Sequence, residues 1–134
     1  MNNREDTISK LRIYFSEQTD VKLAILFGSF ADGEIRDTSD IDIAVQTKET
    51  ASLDRLINMR TELSSLTHRE IDIIDLREAE GAILCRVMKQ GIKLKDGNSL
   101  FARYNLKAIY FHEDFLPAVR MMQDARIRRF VNGS

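Results

Sequence analysis

Two aspartates one residue apart, Asp40 and Asp42, follow a Gly28-Ser29 pair after ten intervening residues, within LAILFGSFADGEIRDTSDIDIAV. Side chains alternate along a strand, so Asp40 and Asp42 fall on one face and Ile41 and Ile43 on the other. Two carboxylates held that way can bind one or two hard divalent cations. A strand-to-loop Gly-Ser can offer backbone amides and a hydroxyl to phosphate oxygens. Aspartate is depleted in strands, so a pair of them among isoleucines calls for a chemical reason. The chemistry these types can perform is metal-dependent phosphoryl or nucleotidyl transfer.

A third acid must come from the strand expected at Glu70 to Leu76. Asp72 and Asp75 there have opposite parity and cannot both face the site. Asp75 stands three residues before Glu78, where a helical pattern begins, and this spacing fits a helix N-cap with its box partner. Asp72 sits between Ile71 and Ile73 with no such structural use. Asp72 is therefore assigned as metal ligand and candidate base, with Asp75 as the fallback.

The elements that must position these groups follow from periodicity. Helices are expected over 4–18 (Ile8, Leu11, Phe15 inward), 52–66 (Leu53, Leu56, Ile57, Leu63, Leu66 on one stripe) and 78–90 (Ile83, Leu84, Val87, Met88 inward). Strands are expected at Val21 to Phe27, Ser39 to Thr47, Glu70 to Leu76 and Ile92 to Lys95, with Gly91 as a helix C-cap and Asp96-Gly97 as a turn. A long helical segment over 99–130 carries Phe101, Tyr104, Ala108, Phe111 and Phe115 on one side, with a break at Pro117. The domain reading is a catalytic unit over 1–98 with 99–134 as a helical extension of the same domain.

The signature resembles that of the nucleotidyltransferases sharing the palm of DNA polymerase β. At this length the chain looks like the minimal nucleotidyltransferases (MNT proteins) paired with HEPN-domain toxins in prokaryotic toxin–antitoxin systems. The resemblance spans residues 23–45 closely and 69–97 in pattern. It implies an α/β palm: a small mixed sheet with helices packed on one face and the acids on the other, plus the C-terminal helical segment. It further implies Mg2+, two ions, at Asp40, Asp42 and Asp72, and ATP with its β and γ phosphates at Gly28 and Ser29. The implied acceptor is a tyrosine hydroxyl of a cognate HEPN ribonuclease toxin, neutralised by AMP transfer. The alternatives are an antitoxin that acts by binding alone and a small-molecule nucleotidyltransferase whose acceptor domain is a separate chain. Many relatives carry a basic residue where this chain has Asp32. Either Arg36 on the same loop takes over that charge, which makes it a candidate for nucleotide binding, or Asp32 simply points to solvent.

Composition narrows the classes. The 134 residues suit one domain, with 43% apolar and 31% charged residues and a net charge of −1. That balance argues against nucleic acid as the main partner, which normally calls for a basic excess. The single cysteine, Cys85, can form no internal disulfide and reads as a small apolar group in a helix. No signal-peptide or membrane-span pattern is seen, so the cytoplasm is the expected location. His68 and His112 lack partners at metal-ligand spacing and read as surface or capping groups. Arg120, Arg126, Arg128 and Arg129 read as a solvated helix end.

Overall fold

The computed structural model describes residues 3–31, 40–97 and 99–111. Four strands form one sheet: β1 (Val21–Phe27), β2 (Ile41–Thr47), β3 (Ile71–Asp75) and β4 (Ile92–Asp96), in the order β3-β2-β1-β4. β1 runs antiparallel to both β2 and β4, whereas β2 and β3 are parallel. Parallel neighbours need a crossover. Here it is α2 (Leu53–Thr67), which starts at Ser52, whose side chain accepts from Arg55 N at 3.1 Å. The helix ends at His68 in the left-handed region (φ 57°), with its N–H donating to Ser64 O, so this histidine is a capping residue.

Alternation along the strands separates two cores. Ala24 and Leu26 of β1, Ile41, Ile43 and Val45 of β2 and Ile71 of β3 pack on one face against α1 (Asn3–Glu17) and α2. α1 inserts Ile8, Leu11 and Phe15, as its spacing predicts. Lys95 of β4 donates to Phe15 O and Gln18 O at 3.0 and 2.8 Å, which satisfies carbonyls at the end of α1. On the opposite face, Leu23, Ile25 and Phe27 of β1 and Ala44 of β2 meet α3 (Gly81–Gln90) and a helical stretch over 100–111 (α4). The mixed sheet with α1 and α2 on one face is the expected palm. In addition, α3 and α4 cover the part of the acid face made apolar by Leu23, Ile25 and Phe27 of β1 and Ala44 of β2.

Several local expectations are corrected. The inward stripe of α2 is Leu56, Met59 and Leu63, while Leu53 and Ile57 are 74% and 49% exposed and Leu66 lies near the surface. Ile83 of α3 is likewise 56% exposed, leaving Leu84, Val87 and Met88 inward. Asp75 does not cap α3. Its Oδ1 accepts from Arg77 N at 2.9 Å within a separate turn, and α3 begins six residues later at Gly81, after Glu80, which makes no side-chain capping bond. Gly91 ends α3 in extended backbone (φ −70°, ψ 142°) rather than the left-handed form of a glycine cap. Its glycine is required by packing: a Cβ there would run into Val87 O and Ile25 Cγ2. Cys85 is partly buried against the second core, with Sγ 3.4 Å from Ala108 O.

Of the expected 99–130 helix, 100–111 is helical, with Phe101, Tyr104 and Ala108 packed on the second core. Phe111 lies beside Gly81. Asp32, Arg36, His112, Phe115, Pro117 and the four C-terminal arginines lie outside the described residues.

Candidate active site

β1 delivers Gly28 at its end, where the chain turns with φ +80°, a region that favours glycine. The residue is buried directly beneath Asp42. A Cβ at position 28 would overlap Asp42 Oδ2 and lie 3.1 Å from its Cγ. Glycine here thus serves both the turn and the seat of a carboxylate. Ser29 follows, half-buried at the lip.

The loop leaving Ser29 is pinned from below. Phe30 is 1% exposed in the first core. Arg4 of α1 donates to Phe30 O at 3.3 Å and to Ala31 O at 2.6 Å. The Arg69 guanidinium lies 5.2 Å from the Phe30 ring centroid. Arg4 and Arg69 escaped the sequence reading, because nothing in local spacing ties either one to residues 28–31.

β2 and β3 carry the acids. Their parallel register pairs Asp42 with Asp72, so the two carboxylates stand side by side on the face shared with Ala44. Asp40 precedes β2 and is exposed. Asp42 is half-buried and Asp72 exposed on the edge strand. Burial pushes the Asp42 carboxyl above the usual carboxylate range, and the charges of Asp72 and then Asp40 push the same way, while Arg86 of α3 opposes them. Asp75, by parity and by its bond to Arg77 N, belongs to the turn and not to this face. The structure therefore brings together Gly28, Ser29, Asp42 and Asp72, with Asp40 at the rim. Arg36 lies outside the described residues.

These donors fit a hard divalent cation. They are carboxylates, they repel one another, and the innermost one is held where water solvates it poorly, so added positive charge is favoured. Among the described residues no group of three acids, cysteines or histidines that could hold a metal ion is found. Magnesium takes one or two carboxylates and completes its shell with water and substrate phosphates.

Comparison with known proteins agrees with this geometry. Residues 9–99 match the family described as "Polymerase beta, Nucleotidyltransferase". The protein adenylyltransferase MntA of Shewanella oneidensis is 33% identical over 85 residues, which are 61% of this chain and 61% of MntA. A crystal structure of a toxin–antitoxin with AMP-PNP aligns with a TM-score of 0.71 at 25% identity, covering 95% of this chain and 99% of that one. A chain from the structure of tri-AMPylated Shewanella oneidensis HEPN toxin in complex with MNT antitoxin has the same fold, at a TM-score of 0.64 and 24% identity over 93% of this chain and 96% of that one.

Proposed function

The chain belongs to the polymerase β nucleotidyltransferase family, and on that footing we propose that it is an antitoxin that transfers AMP from ATP to a tyrosine of a cognate HEPN ribonuclease toxin. The observation that carries the transferase part is the in-register pair Asp42 and Asp72 above Gly28. The partner class is supported by the MntA likeness, by the toxin–antitoxin structure with its ATP analogue and by that of a tri-AMPylated HEPN toxin with MNT antitoxin, and the tyrosine is what the family resemblance implies.

In this reading the Gly28 and Ser29 backbone and the Ser29 hydroxyl hold the β and γ phosphates. Asp40, Asp42 and Asp72 are the ligands for magnesium. When bound, the metal neutralises charge on the phosphates and on the attacking and leaving oxygens. Asp42, fixed between two strands and seated on Gly28, sets the position of the α-phosphorus. The tyrosine oxygen forms a bond to that phosphorus as the bond to the bridging oxygen breaks. Pyrophosphate leaves with the electron pair, and the phenolic proton passes to the Asp72 carboxylate. Asp72 lies exposed on the edge strand, where a hydroxyl carried by a folded protein can reach it.

In this reading Arg36 also binds the phosphates. The reading of one domain with a C-terminal extension is supported, for residues 100–111, by the packing of α4 on the second core. ATP as donor and a ribonuclease as acceptor put the reaction in the cytoplasm. Among the described residues no helix is long and apolar enough to cross a membrane.

The test is neutralisation of the toxin's ribonuclease activity by wild-type protein with magnesium and either ATP or α,β-methylene ATP, which cannot release pyrophosphate. Neutralisation with ATP alone is expected. Equal silencing with the methylene analogue, or with no nucleotide, would make this an antitoxin that acts by binding.

A further inference from the structure

α3 leaves the turn after β3, at the end of the sheet far from Gly28, and crosses the acid face to Gly91, where Ile92 of β4 pairs with Leu26. Its C-terminal half therefore arrives at the end of β1 that bears Gly28. Leu84, Val87 and Met88 hold the helix to the sheet, while Arg86 between them is exposed. Among the described residues Arg86 makes no hydrogen bond and no ion pair. Its charge is nevertheless felt at Asp42. The α3 carbonyl end adds further negative potential to a site that already holds Asp40, Asp42 and Asp72.

A nucleoside triphosphate entering such a site brings more negative charge than a metal ion alone can balance. The side chain suited to it is a guanidinium with spare donors, overlooking the acids and committed to no other partner. We propose that Arg86 is a nucleotide-binding residue that receives the phosphate tail of ATP from the α3 side, opposite Gly28 and Ser29. The inference rests on the nucleotidyl-transfer reading and deepens it. Arg86 contributes to binding in the ground state and in the transition state alike, so its loss acts on affinity rather than on turnover.

Calorimetric titration of α,β-methylene ATP with magnesium into wild-type, Arg86→Gln and Arg86→Lys proteins tests this, together with ATP-dependent rates of toxin modification and a melting curve for each. Arg86→Gln is expected to weaken the analogue about tenfold and to raise KM for ATP by a similar factor, with kcat within about threefold. Tm should be unchanged, and Arg86→Lys should recover part of the affinity. Unaltered analogue affinity in Arg86→Gln would overturn the proposal and leave the transferase reading intact. A lowered Tm with no recovery by lysine would also overturn it, in favour of a structural role. A wild-type protein that binds no nucleotide would instead sink the transferase reading, and this inference with it.

Discussion

Asp42→Asn is expected to abolish AMP transfer while making the metal-free protein more stable. The ionised Asp42 carboxylate is half-buried beside Asp72, with Asp40 nearby, and its pKa is raised by burial first and by those charges next. A carboxyl whose pKa is higher in the folded than in the unfolded chain costs stability once ionised. The penalty is absent well below the ordinary carboxylate pKa, grows as pH rises from there to the raised pKa, and is fully present above it. Asparagine keeps the shape and removes the charge. Tm of the metal-free variant should therefore exceed that of wild type by a few °C at pH 7, with the difference vanishing in acid. Magnesium should raise Tm of the wild type and leave the variant nearly unmoved. Transfer should fall by on the order of a thousandfold, since a group aimed at developing charge is lost. Melting curves with and without magnesium, set beside initial rates, check both halves. A variant that loses stability without metal would refute the electrostatic account of the pair.

Gly28→Ala is the second large effect, and it works by displacement rather than by charge. The residue lies at φ +80°, and the added methyl would occupy the space of Asp42 Oδ2. Backbone strain and overpacking at one position should together cost about 2–4 kcal/mol. The larger consequence is chemical. Asp42 must swing away from the register that sets it beside Asp72, and a displacement near 1 Å can cost about a hundredfold in rate. Transfer should thus fall by about that factor or more in protein that still folds, as circular dichroism and rates on the same sample would show. Alanine tolerated with full activity would mean that Asp42 does not need its seat on Gly28.

Much of this site can be read in the sequence because it is local. A strand closing on Gly28 and a second strand carrying Asp42 need only periodicity and turn chemistry, and both appear where expected, although β2 starts at Ile41 and leaves Asp40 just before it. That Asp72 and Asp75 cannot share a face also follows from parity, although the use of Asp75 differs. It bonds Arg77 N in its own turn, because the chain spends several residues reversing before α3 starts at Gly81. What spacing cannot supply is pairing. The register that puts Asp72 beside Asp42 exists only once β3 lies parallel to β2.

The same limit explains Arg86. Helical periodicity marks it as solvent-facing, and only the return path of α3 shows that this solvent lies over the acids. The apolar stripe of α2 is narrower than its spacing predicts for a related reason. Helix spacing cannot tell how far a neighbouring sheet extends, and α2 packs at the β3 edge, so Leu53 and Ile57 overhang it.

The most direct measurement is the intact mass of the cognate toxin after incubation with this protein, ATP and magnesium, beside the Asp40→Ala/Asp42→Ala double variant. The account predicts one or more AMP-sized increments on the toxin with wild type and none with the double variant. An unmodified toxin that is nonetheless silenced, equally by both proteins, would contradict it.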